Sequence, residues 1–144
     1  MKVQLDQFNN SWYKPGSKIV IAIWLLFSFM FFRTEFPWPL LLKRFILRLF
    51  GAKVGREVIL KPNINIKYPW KLSVGNHVWV GENVWIDNLA DVTIGRHVCI
   101  SQGAFLLTGN HNYKKTTFDL MVGEIHLHDG SWVGAKATVC SRVT

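Results

Sequence analysis

Five histidines are the side chains of this 144-residue chain best placed to exchange a proton near neutral pH. One of them, His111, lies in a stretch unlike its surroundings, Leu107 to Ile125, LTGNHNYKKTTFDLMVGEI. A histidine in such a loop suits general-base work on a hydroxyl, which is a poor nucleophile until its proton is removed. That role asks one ring nitrogen to reach the hydroxyl and the other to be held by a carbonyl or carboxylate. The remaining histidines read differently. His77 and His97 fall at equivalent places in successive repeats and are expected to stack as a solvent-facing ladder. His126 and His128 alternate along one strand edge and point the same way, but no third ligand stands with them, so no metal site is expected. Cys99 and Cys140 lack CxxC spacing, which excludes a disulfide scaffold and suits a reducing, cytoplasmic setting.

What must position His111 is a repeat. Large aliphatic residues recur at Val54, Leu60, Ile66; Val74, Val80, Ile86; Ile94, Ile100, Leu106; and, after the break, Leu127, Val133, Val139. The step within each trio is six, and between the first three trios it is eight. Glycine follows the ladder residue at Gly55, Gly75, Gly81, Gly95 and Gly134. A second, mostly small inward residue is expected four places on, at Val58, Ile64, Val78, Val84, Ala90, Val98, Ala104, Ser131, Ala137 and Val143. Neither a helical nor a simple strand period gives a step of six. A prism of three short strands per coil does, with stacked coils burying a continuous ladder. A flat prism wall offers few convergent groups, so the extruded segment 107–126 is the natural place for a site.

The first third has another character. Of the chain's excess positive charge, Met1–Lys71 carries 12 basic and 3 acidic residues, and Leu72–Thr144 carries 5 and 6. Ile19–Phe32 is a 14-residue apolar run with Ser28 as its one polar side chain, short for a bilayer span. Leu40–Phe50 reads as an amphipathic helix, with Leu41, Leu42, Phe45, Ile46 and Leu49 as an apolar stripe facing away from Lys43, Arg44 and Arg48. The basic, aromatic arm 19–50 therefore suits peripheral contact with an anionic membrane, or packing as a cap on the prism. No nucleic-acid motif accompanies the charge, so nucleic acid is not an expected partner. The division is an arm over residues 1–51 and a β-helix over 52–144.

The [LIV]-G-x4 run resembles the hexapeptide-repeat acyltransferases. The stretch KYPWKLSVGNHVWVGENVWIDNLADVTIGRHVCISQGAFLLTGNHNY, with NSWYKPGSK and LRLFGAKVG before it, is similar to the colanic-acid-type sugar O-acetyltransferases. The resemblance spans Asn10 to Thr144. It implies a mainly β fold, a left-handed parallel β-helix, and homotrimers whose site forms between subunits. It implies direct acetyl transfer from acetyl-CoA to a sugar, nucleotide-sugar or lipid-linked sugar, in exopolysaccharide or surface-polysaccharide biosynthesis, without a metal. His111 takes the place of the catalytic histidine, although Asn110 replaces the usual Ser or Thr before it. Asn83 is implied as an acceptor contact, and Trp132 and Ala135 as coenzyme contacts, with shielding of the coil wall as the other reading of Trp132; Asp87 and Asn88 are candidates either for acceptor contacts or for strand-corner hydrogen bonding. The setting expected is cytoplasmic, at the inner face of the membrane. Relatives continue beyond a similar Val-Thr, so the prism is expected to be short by a coil at Val143-Thr144. Two other readings share the fold: a non-catalytic, truncated scaffold, and a zinc carbonic anhydrase. The latter needs histidines five apart, which this sequence lacks.

Overall fold

The computed structural model describes residues 2–144. Two helices, α1 (Lys18–Phe31) and α2 (Leu40–Leu49), precede fourteen short strands. The first nine are β1 (Lys53–Val54), β2 (Ile59–Leu60), β3 (Asn65–Ile66), β4 (Leu72–Val74), β5 (Trp79–Val80), β6 (Trp85–Asp87), β7 (Val92–Ile94), β8 (Cys99–Ile100) and β9 (Phe105–Leu107). A hairpin of β10 (Gly109–His111) and β11 (Leu120–Val122) interrupts them, and β12 (Ile125–Leu127), β13 (Trp132–Val133) and β14 (Thr138–Cys140) close the run.

Three parallel four-stranded sheets form the walls, in the orders β1-β4-β7-β12, β2-β5-β8-β13 and β3-β6-β9-β14. Their register stacks the step-six residues on one another: Val54, Val74, Ile94 and Leu127 in the first wall, Leu60, Val80, Ile100 and Val133 in the second, Ile66, Ile86, Leu106 and Val139 in the third. The second inward row agrees at Val58, Ile64, Val78, Val84, Val98 and Ala104. It is corrected at Ala90: Leu72, Val92 and Ile125 are the buried partners where the step lengthens, because the inward position is set by the strand that follows it. Ala137 and Val143 lie exposed.

The corners explain the glycines. A Cβ on Gly75 would stand 2.7 Å from the Gly95 carbonyl carbon, and one on Gly55 2.5 Å from the Gly75 oxygen, so only glycine lets adjacent coils close. The left-handed backbone turn falls two residues later, at Glu57, His77, His97 and Gly130 in one corner column and at Asn63, Asn83, Gly103 and Lys136 in the next. His77 and His97 stack as expected, with centroids 5.0 Å apart and planes within 10°. The third corner column is irregular. It holds the extra residues of the eight-residue steps, Lys67–Lys71 and Asp87–Asp91, and then the whole 108–124 excursion.

The helical arm satisfies the free edge of the first coil on all three walls. Trp24 Nε1 donates to the Ile66 carbonyl, Lys43 Nζ to those of Leu60 and Lys61, and Arg48 to those of Val54 and Gly55. The main chain of Phe32 and Thr34 accepts from Ile64 and Asn63. This splits the single apolar stripe expected of α2 and puts Lys43 beside part of it. Lys43 is 1% exposed and points inward beside Ile46 and Leu47, while Leu41, Phe45 and Leu49 point outward. The coil edge needs donors, and a lysine amine supplies them where a leucine could not. Among the described residues no helix is long and apolar enough to cross a membrane.

Candidate functional site

His111 ends β10 and is held at the irregular corner by the hairpin β10–β11, whose pairs are Gly109–Val122, Asn110–Met121 and His111–Leu120. The turn between them is braced by Asp119, which takes Lys115 Nζ at 2.9 Å and Thr117 Oγ at 2.6 Å; these two contacts, led by Thr117, hold its carboxyl below the usual range. The turn puts Phe118 in the left-handed region at φ 50°, uncommon for a bulky residue, and aims its carbonyl at the imidazole. His111 Nδ1 lies 3.0 Å from that oxygen. A carbonyl only accepts, so Nδ1 carries the hydrogen and Nε2 keeps its lone pair. The Phe118 ring stacks on the imidazole at 4.3 Å, and Phe8 meets its edge at 5.5 Å. Asn110 turns back to accept the His111 main-chain N–H at 2.8 Å and does not touch the ring nitrogens.

The ring borders a cleft of about 430 Å³ that Phe8, Tyr13, Lys67, Tyr68, Leu89 and Leu120 help to wall. Four of its nine lining residues, Phe8, Asn10, Tyr13 and Pro15, come from a part of the chain that sequence reasoning did not assign to the site. Residues 2–16 lie across the irregular corner as a strap. The Gln4 N–H donates to the Thr116 carbonyl, Tyr13 Oη to that of Leu89 at 2.7 Å, and Trp70 Nε1 to that of Pro15 at 2.7 Å. Lys71 Nζ reaches the Leu89 carbonyl as well, at 2.6 Å. Burial, then Tyr68 and Asp87, raise the Tyr13 hydroxyl above its ordinary pKa, so it remains a donor. The signal was present in the eight-residue steps: residues that break a strict period three times at one corner column build a surface there.

The implied acceptor contacts separate. Asp87 is at the irregular corner, with one carboxylate oxygen 2.9 Å from Lys67 Nζ but poorly angled for a hydrogen bond, and Lys67 lines the cleft. Asn88 is fully buried. Its amide donates to the Tyr68 carbonyl at 2.7 Å and accepts from the Tyr68 N–H at 2.9 Å. Of the two readings of Asn88, this favours corner hydrogen bonding over acceptor contact: both ends of the amide are consumed in tying one coil to the next. Replacing Asn88 with alanine should therefore lower the unfolding free energy by about 2–3 kcal/mol, by stranding two buried main-chain groups. Urea melts beside acetyl-transfer kinetics check this, and a raised acceptor KM at unchanged stability would restore the acceptor-contact reading.

Asn83 stands in the regular second corner column, where its Oδ1 accepts from Asn63 Nδ2 at 2.6 Å. Ala135 shares that column two coils further on and is exposed; beside it a Cβ on Gly134 would meet nothing within 4 Å, leaving open main chain against which an extended ligand arm could lie. Trp132 is 76% exposed on the second wall, with its indole N–H on Ser101 Oγ. None of these three walls the His111 cleft of its own chain. His126 faces Glu124 at 3.0 Å, and among the described residues no group of three potential ligands could hold a metal.

With this geometry in place, comparison with known proteins is direct. No family model matches the chain. It is 36% identical over 136 residues, 92% of its length and 72% of theirs, to proteins of Escherichia coli strain K12 and Shigella flexneri named as the colanic acid biosynthesis acetyltransferase WcaF. It is 25% identical over 96 residues to nodulation protein L of Rhizobium meliloti, covering 65% of this chain and 52% of that one. In fold it matches a crystal structure of a hexapeptide-repeat acetyltransferase of Vibrio cholerae complexed with acetyl coenzyme A, with a TM-score of 0.60, 15% identity, and coverage of 84% of this chain and 73% of the other. That likeness fits the prism as a left-handed parallel β-helix.

Proposed function

The chain belongs to the family of the colanic acid biosynthesis acetyltransferases, and from that premise we propose that it moves an acetyl group from acetyl-CoA to a sugar hydroxyl of a surface-polysaccharide precursor, with His111 as general base. The observation that carries the reading is the Phe118 carbonyl on His111 Nδ1, which occupies that nitrogen and leaves Nε2 as the one that can take a proton, in a ring that lines the cleft. In the reaction Nε2 takes the proton of the acceptor hydroxyl as its oxygen attacks the thioester carbon. The new C–O bond forms, the C–S bond breaks, and the proton passes from the imidazolium to the departing thiolate, giving the ester and free coenzyme A. No bond to the enzyme forms. Tyr13, Lys67 and Asp87 offer polar groups to the acceptor from the strap and the irregular corner.

Trp132 and Ala135 enter through a second copy. They lie on a wall and corner column that their own cleft does not use, so they serve coenzyme A binding when a neighbouring subunit sets that column against the irregular corner, as in a homotrimer. The test is incubation of the protein with acetyl-CoA and a panel of free sugars, nucleotide sugars and lipid-linked sugars, following thiol release and acetyl ester on the product. Ester on a sugar is expected. Thiol release without any acetylated product across the panel would overturn the sugar assignment, and failure to bind acetyl-CoA would favour a scaffold.

A further inference from the structure

Both helices of the arm are inverted in polarity relative to water. In α1 the residues turned to the prism are Trp24 and Ser28, so the helix's one polar side chain apart from its first residue is buried. Ile19, Leu26 and Phe29 are left outside, at 73%, 59% and 69% exposure. In α2 the buried row contains the lysine, and the outer row is Leu41, Phe45 and Leu49, spaced i, i+4, i+8. A helix on an aqueous surface keeps its polar side chains outward, and contiguous apolar patches of this kind mark contact with another apolar phase. Apart from Lys43 and Arg48, whose donors are spent on the coil edge, the cations of this segment are Lys18, Arg33 and Arg44, against a single acid, Glu35.

We propose that this outer face docks on an anionic lipid bilayer, the two helices lying in the plane of the headgroup and acyl boundary. The charge argues for the occupant: three cations to one acid in a segment with a greasy outer face match an anionic surface and would repel a second copy of the same face. Length argues for the geometry. At about 1.5 Å per residue, α1 is about 21 Å long and falls short of the roughly 30 Å hydrocarbon core, so it lies on the membrane. Exposed Phe36, tilted against Trp38 with ring centroids 4.6 Å apart, supplies the aromatic anchor such surfaces use at the interface. One hydrogen bond links the docked face to the His111 cleft. A groove of about 500 Å³ between the start of α1 and the end of α2 is lined by Val20, Leu49 and Trp70, and the Trp70 indole is bonded to Pro15, which borders the His111 cleft. This inference does not rest on the acetyltransferase reading.

Co-flotation of the full chain with vesicles tests it. Binding to phosphatidylglycerol-containing vesicles is expected to be at least ten times tighter than to pure phosphatidylcholine, and to weaken as salt is raised. The triple variant L41Q/F45Q/L49Q should lose at least tenfold in binding at an unchanged melting temperature, since all three side chains are already exposed. Thiol release with a water-soluble acceptor should not change. No flotation with either vesicle overturns the proposal. So does a triple variant that drops in mass by light scattering while the parent never floats, which would make the face a contact between copies.

Discussion

Replacing His111 with asparagine is expected to lower kcat for acetyl transfer by about a hundred- to ten-thousand-fold, the range for loss of a positioned general base. The side-chain amide of asparagine can donate to the Phe118 carbonyl much as Nδ1 does, so the hairpin should keep its shape. What it lacks is a basic nitrogen in place of Nε2. Alanine at 111 should lose as much activity, and a little stability besides, because it also removes the stacking on Phe118. Steady-state kinetics with circular dichroism melts separate the two effects. An asparagine variant that turns over within threefold of the parent would remove His111 from the proton transfer, whatever its effect on folding.

The second large effect concerns Lys43, whose ammonium is buried against two main-chain carbonyls with no carboxylate beside it. Alanine there should cost about 2–4 kcal/mol, because it strands both carbonyls and leaves a void under α2. Methionine, which fills the space, should cost less. The pH dependence gives a sharper signature. Burial lowers the Lys43 pKa from 10.5 to about 8, so between those values the unfolded chain holds a proton that the folded one has released. Stability conferred relative to methionine should therefore rise as pH increases from about 8 to 10.5, and fall as pH drops back through 8. The neutral amine still has two N–H donors, enough for both carbonyls, so the bonds survive deprotonation. Urea unfolding of parent and K43M across that window checks it; parallel pH profiles would mean that the amine is solvated in the fold.

These two residues also mark how far the sequence could be read. The aliphatic ladder was legible because each residue answers to a local rule, an inward strand position repeated every six places. The rule failed at Ala90, where the longer step shifts the count and Val92 takes the inward place. His111 was legible because it interrupts the period. Lys43 was misplaced because a lysine beside an apolar stripe is conventionally read as part of the polar face, away from Ile46, whereas here the two are buried together. Nothing local reveals that the coil edge beneath α2 is a row of carbonyls in need of donors. The strap was invisible for a related reason: Tyr13 meets Leu89 across 76 residues, through a hydrogen bond that neither position advertises. Asn88 looked like a site residue because an exposed turn asparagine and a buried one have the same neighbours in sequence.

The way the arm seats on the first coil has a bearing on how the molecule is assembled. Its contacts through Trp24, Lys43 and Arg48 are particular to that coil, whereas every later coil meets its predecessor through the same ladder, twenty residues on for the second and third coils and thirty-three for the fourth, past the hairpin. The arm precedes every coil in the chain, so it can act as a seed on which coils are laid down in order, each new edge templating the next much as a crystal face does. In such a lattice the number of coils is a free variable, and growth has a built-in start.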